Sequence, residues 1–161
     1  MMPILVTSMT SSDLDQAVSL ICSFEGFRNQ PYADVTGTPT VGYGSTYWHG
    51  QRVTLTSPES VTEGEARQVV AADAGKVLTA LKSSVRASLT PNQWAALTSF
   101  AYNVGLPACL GSTLVRLVNE GQLDKAADQF LLWDRSKGRV IQGLLNRRRA
   151  ERALFLGQAN V

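Results

Sequence analysis

The stretch from residue 24 to residue 44 constrains the fold of this chain more than any other segment. It follows a run of apolar residues at helical spacing, and its prolines and glycines separate short runs rich in Thr, Val and Tyr. This change of pattern predicts a helix that ends at Gly26 and a small antiparallel sheet of two or three short strands over residues 30–56. The expected fold class is therefore α+β.

Two carboxyl groups and a hydroxyl group lie at fixed intervals in this stretch. Glu25 comes nine residues before Asp34, and Thr40 follows Asp34 by six residues. Glu25 falls at the predicted helix end, whereas Asp34 and Thr40 fall in the predicted hairpin. Two carboxyl groups on opposite walls of a cleft are the minimal equipment for breaking a glycosidic bond. Taken alone, Asp34 is also typical of a turn and Thr40 of an ordinary strand.

The same segment, with glycines at positions 42 and 44, resembles the phage-type lysozymes of glycoside hydrolase family 24. The resemblance implies a two-lobed lysozyme-like fold, with a small β-hairpin lobe, a larger helical lobe and a cleft between them. It also implies an inverting muramidase that hydrolyses the β-1,4 bond between N-acetylmuramic acid and N-acetylglucosamine in peptidoglycan. Further similarities lie downstream at residues 100–105, 112–114, 133 and 143–152.

The resemblance also implies a role for individual residues. Glu25 is expected to donate a proton to the leaving oxygen, and Asp34 with Thr40 to position water on the opposite face of the sugar. Arg147 matches a position that is expected to form an ion pair with Glu25. Contacts with the glycan are expected at Tyr32, Tyr43, Tyr102, Asn103, Thr113 and Gln129. Core packing at a helix end remains an alternative for Tyr102.

Helix-start signals divide the rest of the chain. Ser12 is expected to cap the first helix. Residues 62–65 form a capping box, and the amphipathic helix that follows is long enough to bridge two lobes. Residues 90–93 combine a Thr cap, a Pro at the first helical position and a Gln at the third, which predicts a helix that ends at Gly105. Shorter helices are predicted over residues 112–120, 123–133 and 143–156.

These elements predict one lysozyme domain over residues 1–161. A change of composition near residue 60 marks a lobe boundary without a flexible linker. The expected parts are an N-terminal extension at 1–12, the catalytic helix with the small sheet at about 13–60, a connecting helix at about 61–84 and a helical lobe at about 85–161.

Positive charge is concentrated near the C-terminus. Residues 135–152 contain seven basic groups and one acidic group, whereas the rest of the chain contains eight basic and twelve acidic groups. Such a segment is typical of contact with nucleic acid or with an anionic wall polymer. Successive residues on a helix point about 100° apart. We therefore expect one buried ion pair, between Arg147 and Glu151, and a solvated basic face that carries Arg148 and Arg152, with no nucleic-acid partner.

Few residues offer redox or metal chemistry. Cys22 and Cys109 do not make a disulfide framework, although a single bridge between them stays open. One histidine and two scattered cysteines argue against a tetrahedral metal site, and no cofactor is expected.

The first twelve residues lack the features of a secretion signal. They have no basic segment, and their apolar run is too short for a signal peptide or a membrane span. We expect a monomer made in the host cytoplasm without stable membrane insertion. In the phage systems that it resembles, a holin allows release to the periplasm or cell wall.

Two other functions fit parts of the pattern. A lytic transglycosylase uses one acid and no water, and the presence of both Asp34 and Thr40 argues against it. A domain that only binds peptidoglycan or nucleic acid would bind purified walls without turnover.

Overall fold

A computed structural model describes residues 12–158 of the chain. These residues divide into two compact units, the small unit (residues 18–73) and the large unit (residues 12–17 and 74–158). The N-terminal extension predicted at 1–12 lies outside the described residues except for Ser12.

The small unit combines parts of two helices with two β-hairpins. Helix α1 spans Ser12–Glu25 and ends before Gly26, as the sequence predicts. Helix α2 spans Glu63–Ser84. Strand β1 (Arg28–Ala33) pairs antiparallel with β2 (Pro39–Gly42), and β3 (Tyr47–Trp48) pairs antiparallel with β4 (Gln51–Arg52).

The capping box at the start of helix α2 is confirmed. The Thr62 backbone N–H donates to Glu65 Oε1 at 2.8 Å, and the Glu65 backbone N–H donates to Thr62 Oγ1 at 3.1 Å. Each residue thus supplies a partner for a backbone donor that the first turn of a helix leaves free. Apolar side chains of the helices and hairpins fill the interior of the unit, among them Ile21, Val41, Trp48, Val53, Ala66 and Val70.

The strands form two separate hairpins, where the sequence predicts one sheet of two or three strands. Strand β2 ends because the chain reverses at residues 42–44. Val41 and Ser45 exchange both backbone hydrogen bonds, each at 2.9 Å, across this turn. Gly42 and Gly44 have φ angles of 68° and 86°, which L side chains rarely adopt. The reversal leaves β3 to pair with β4 instead of extending the first hairpin.

The large unit is mainly helical. The predicted cap of its long helix α3 (Pro91–Val104) is confirmed, since the backbone N–H of Gln93 donates to Thr90 Oγ1 and that of Thr90 donates to Gln93 Oε1. The elements that follow are α4 (Leu106–Leu110), α5 (Thr113–Asn119), α6 (Leu123–Gln129), a 3-10 helix (Phe130–Leu132), β5 (Arg135–Ser136), β6 (Arg139–Val140) and α7 (Gln142–Phe155).

Aromatic side chains form the centre of this unit. The Phe130 ring lies 5.4 Å from Phe100 and 5.5 Å from Phe155, and Phe100 lies 5.3 Å from Trp133. These centroid distances and the edge-on orientations are favourable for aromatic pairs. The cluster packs α3 and α7 against the 3-10 helix and against Trp133, the residue that follows it.

Three features of the large unit differ from the sequence prediction. The helix predicted over 123–133 is α6 followed by the 3-10 helix, and α4 was not predicted. The hairpin of β5 and β6 was also missed. Lys137 and Gly138 form its turn with φ angles of 52° and 79°. Two-residue turns of this kind fit the twist of paired strands, and Gly138 was the available signal.

Candidate active site

The three residues predicted to be catalytic all belong to the small unit. Glu25 is the last residue of α1, and its side chain is half-buried. Its Oε1 lies 3.1 Å from the position that a Cβ atom would occupy on Gly44. The end of the helix therefore directs the carboxyl group towards the turn that terminates β2.

Asp34 lies in the turn between β1 and β2 and organises it. Its Oδ1 accepts hydrogen bonds from the Thr36 hydroxyl at 2.7 Å, the Thr36 backbone N–H at 2.8 Å and the Thr38 backbone N–H at 2.9 Å. The Thr36 hydroxyl, and next the Thr38 amide, lower the pKa of Asp34 below its usual value. Asp34 is therefore ionised at neutral pH. These bonds stabilise the fold above the usual pKa and are lost as the pH falls through the lowered one.

Thr40 lies on β2 directly opposite Tyr32 of β1. Its side chain is buried, and its hydroxyl donates to the backbone oxygen of Thr38 at 2.8 Å. Because a hydroxyl group has one proton, this bond leaves the oxygen of Thr40 with lone pairs that can accept. The backbone of Thr38 thus contacts both Asp34 and Thr40.

Two predicted sugar contacts, Tyr32 and Tyr43, also belong to the small unit. Tyr32 is half-buried, and the Arg28 guanidinium lies 4.3 Å from its ring centroid. Tyr43 is 6% exposed, and its hydroxyl donates to Glu63 Oε2 at 2.6 Å. That hydrogen bond, with burial, raises the pKa of Tyr43 to about 12. The Tyr43 hydroxyl therefore has a structural partner in α2.

The other predicted sugar contacts belong to the large unit. Tyr102 (half-buried) and Asn103 (exposed) lie in the last turn of α3, Thr113 (exposed) begins α5, and Gln129 (half-buried) ends α6. Asn103 lines a cavity of about 290 Å³ together with Trp133 and Arg135. Thr113 lines another cavity, of about 390 Å³.

Arg147 is buried in an ionic cluster of the large unit. Its Nε lies 3.3 Å from Glu151 Oε2, which confirms the predicted pair, and its Nη2 donates to the backbone oxygen of Ser99 at 3.2 Å. The Ser99 hydroxyl donates to Glu151 at 2.7 Å. Arg148 joins the cluster, with its Nε 2.7 Å from Glu151 Oε1. Burial raises the pKa of Glu151, and the two guanidinium groups oppose that shift.

The prediction of a solvated face that carries Arg148 is wrong. Arg148 is fully buried, and its guanidinium packs 5.1 Å from the Phe100 ring centroid. Arg152 instead pairs with Asp128 at 2.8 Å, at the surface. Two of three consecutive arginines are thus buried. Exposed positive charge in this segment remains at Arg135, Lys137, Arg139 and Arg149.

Cys22 and Cys109 are both buried and free, and burial raises the pKa of the Cys109 thiol to about 12. Within residues 12–158, no three His, Cys, Asp or Glu side chains are grouped to hold a metal ion. Over that same range, no helix is both long enough and apolar enough to cross a bilayer.

Comparison with known proteins places the chain in a family. The sequence model of the phage lysozyme family matches residues 22–151. The endolysin of Bacillus phage B103 is 38% identical over 141 residues, which cover 86% of this chain and 52% of that protein. The endolysin of Salmonella phage P22 is 39% identical over 135 residues, which cover 82% of this chain and 89% of that protein. This chain thus belongs to the phage lysozyme family.

A solved structure agrees with this assignment. The endolysin from Escherichia coli O157:H7 phage FAHEc1 is 32% identical and superposes with a TM-score of 0.81, covering 88% of this chain and 90% of that one. The lysozyme-like mixture of helices with small antiparallel hairpins is therefore confirmed. The chain spans about half the length of the Bacillus phage endolysins that it matches.

Proposed function

We propose that this chain is an endolysin-type muramidase that acts in host-cell lysis and phage release. Its substrate is the β-1,4 bond between N-acetylmuramic acid and N-acetylglucosamine in peptidoglycan. Family membership and the relatives named as endolysins support this substrate. One observation carries the assignment of residues: the Thr38 backbone donates to Asp34 and accepts from Thr40, which links the two residues assigned to water.

The charge and hydrogen-bonding state of this pair supports a role in water activation. Asp34 is an ionised acceptor, and Thr40 has its only proton committed to Thr38. A water between them would donate one hydrogen to each side chain. The lone pairs of this water would then point away from Asp34 and Thr40, towards the proposed position of the sugar. Asp34 is suited to accept a proton rather than to supply one.

In the proposed reaction Glu25 transfers its proton to the glycosidic oxygen as the bond to the anomeric carbon breaks. The water held by Asp34 and Thr40 forms the new bond from the opposite face and loses a proton to Asp34. Release of that proton to solvent and reprotonation of Glu25 restore the enzyme, so one water is consumed per bond. Attack from the opposite face inverts the anomeric carbon, and it requires carboxyl groups roughly 6.5–9.5 Å apart.

The remaining residues are proposed to bind the glycan. Amide and hydroxyl groups suit the N-acetyl and hydroxyl groups of the sugars, and aromatic rings suit their apolar faces. Tyr32, Tyr102, Asn103, Thr113 and Gln129 are proposed for this role. Tyr43 is proposed to contribute mainly through its backbone and ring, since Glu63 occupies its hydroxyl. An ion pair of Arg147 with Glu25 is proposed to orient the acid.

The setting of the reaction is proposed from the same family membership. Residues 1–161 are proposed to work as one lysozyme domain and as a monomer. The chain would be held in the host cytoplasm until a holin allows it to reach the periplasm or cell wall. Burial of Arg147 and Arg148 weakens the alternative of a nucleic-acid partner, because neither guanidinium is available to phosphates.

Asp34→Asn should separate the turn role of Asp34 from its chemical role. The amide retains an oxygen at the Oδ1 position, so the bonds from Thr36 and Thr38 and the melting temperature should change little. The negative charge is lost, and cleavage of purified peptidoglycan should fall by about 10²-fold or more. The control Thr36→Val weakens the turn without removing the charge. If both variants lose activity equally, Asp34 is only a turn residue.

Thr40→Val should lower the cleavage rate by about tenfold, the value of one hydrogen bond to the attacking water. The side chains have nearly the same shape, and Thr38 O keeps its bond from the Asp34 backbone N–H at 3.0 Å. The fold should therefore persist, as circular dichroism would report. Thr38→Val removes a hydroxyl from the same hairpin as a control. Unchanged activity of Thr40→Val would exclude a role for its hydroxyl in holding water.

Neutralising the exposed β5–β6 hairpin should weaken adsorption to the wall more than it weakens chemistry. The variant Arg135→Gln/Lys137→Gln/Arg139→Gln removes three exposed charges from one short hairpin. Its binding to intact walls should fall several-fold, and the remaining binding should be less sensitive to salt, because exposed charges are screened beyond about 8 Å at physiological ionic strength. Cleavage of a short neutral glycan should change much less.

A second triple variant controls for the change in net charge. It removes three exposed positive charges elsewhere in the large unit, at Lys76, Arg86 and Lys125. Net charge alone would affect both triple variants equally. Equal loss of wall binding in the two variants would contradict a specific role for the hairpin.

A further inference from the structure

We propose that Gly44 is a positioning residue that sets the location of the Glu25 carboxyl group by leaving the space beside it empty. The proposal rests on the proposed function, in which Glu25 is the proton donor. Gly44 has no side chain. It therefore affects the carboxyl group only through the space that it leaves beside it.

The turn that contains Gly44 is fixed at both of its ends. Val41 and Ser45 exchange two backbone hydrogen bonds of 2.9 Å across it. At its centre, the Tyr43 hydroxyl donates to Glu63 of α2 at 2.6 Å, and the Tyr43 ring lies 5.4 Å from Phe27. The backbone at Gly44 is therefore held from three directions.

The turn is also packed tightly on the side of helix α2. A Cβ atom on Gly42 would lie 3.0 Å from the Cβ of Ala66, which is fully buried. That separation would be tighter than nine in ten real Cβ contacts, so a side chain at position 42 would press on α2.

A side chain at position 44 would meet the Glu25 carboxyl group. A Cβ atom on Gly44 would lie 3.1 Å from Glu25 Oε1, so the neighbouring atom would have to move by a few tenths of an ångström. Oε1 is the end of a flexible side chain, whereas the turn is anchored. A methyl group at position 44 would therefore displace the acid and leave the turn in place. Misplacement of a catalytic group by about 1 Å can cost roughly 10²-fold in rate.

Gly37 provides a matched control for Gly44. The two glycines have φ angles of 85° and 86°, so the φ angle disfavours an alanine to the same degree at either position. No atom lies within 4 Å of a Cβ atom built on Gly37, whereas the one at Gly44 meets Glu25. A difference between Gly44→Ala and Gly37→Ala thus reports the contact with Glu25 rather than backbone strain.

The test compares the two alanine variants by activity and by carbon NMR of the Glu25 side-chain carboxyl group. Gly44→Ala should cleave purified peptidoglycan about tenfold or more slowly than Gly37→Ala, at similar melting temperatures. The Glu25 carboxyl resonance should shift in Gly44→Ala and stay unchanged in Gly37→Ala. Equal activities together with equal spectra would overturn the proposal and leave the role of Glu25 untouched.

Two further outcomes remain informative. If the unaltered chain does not cleave peptidoglycan, the proposed function fails, and the NMR comparison still decides whether Gly44 positions the carboxyl group. If Gly44→Ala does not fold, the same substitution in a Glu25→Ala background decides. Recovery of folding there supports the contact, and continued failure overturns the proposal, because strain alone would then require the glycine.

Discussion

Glu25→Gln should reduce cleavage of purified peptidoglycan by about 10²–10⁴-fold, the typical contribution of a positioned proton donor. The amide has almost the same size and shape as the carboxyl group, so the end of α1 and its approach to Gly44 should be preserved. It cannot transfer a proton to the leaving oxygen. Turbidity of outer-membrane-permeabilised bacteria gives the rate, and a melting curve shows whether the fold is intact.

Glu59→Gln is the matched control for this substitution. It makes the same side-chain substitution at an exposed position of the small unit, and its rate should equal that of the unaltered chain. If Glu25→Gln also retains this rate with an unchanged melting curve, Glu25 has no part in the chemistry and the proposed mechanism loses its acid.

Glu151→Ala should lower the stability of the large unit by about 3–5 kcal/mol. The substitution leaves Arg148, which is fully buried, without the carboxylate that its guanidinium contacts. Uncompensated charge in a protein interior is strongly unfavourable. For a chain of this length, such a loss lowers the melting temperature by roughly 6–20 °C.

Glu120→Ala tests whether burial causes this effect. Arg116 and Glu120 have the same four-residue spacing on a helix as Arg147 and Glu151, and their side chains are 59% and 42% exposed. An exposed pair of this kind contributes about 0–1 kcal/mol. Calorimetry should therefore give a small shift for Glu120→Ala, and shifts of similar size for both variants would contradict the buried cluster.

The sequence predicts helix starts well where a side chain caps the backbone locally. Thr62 with Glu65 and Thr90 with Gln93 form the bonds that their spacing indicates. The signal is local, so tertiary packing does not override it. The end of α1 at Glu25 follows in the same way from the glycine after it.

Features that depend on packing between distant residues were not predictable from the same sequence. Burial of Arg148 depends on Phe100 and Glu151, and the hydrogen bond that fixes Glu151 comes from Ser99, 52 residues away. Three consecutive arginines in a sequence do not indicate which of them will be buried or which residues they will contact. Likewise, Gly44 could be identified as a turn glycine, but its approach to Glu25 requires the folded turn.

The proposed site could be predicted from the sequence only in part. The spacing of Glu25, Asp34 and Thr40 could be found because all three lie within sixteen residues. The hydrogen bonds that Asp34 and Thr40 form could not be found from the sequence. Both residues bond to the backbone of Thr38, and the side chain of Thr38 gives no sign of this role. Their catalytic roles stay predictions.

Mass spectrometry of the ends that the chain creates in purified peptidoglycan tests the central claim most directly. Fragments are reduced with borodeuteride, so that each new reducing sugar is labelled, and Glu25→Gln is treated in parallel. Hydrolysis by a muramidase predicts labelled N-acetylmuramic acid ends that accumulate with the unaltered chain and not with Glu25→Gln. Labelled N-acetylglucosamine ends, anhydromuramic ends or the absence of new ends would contradict it.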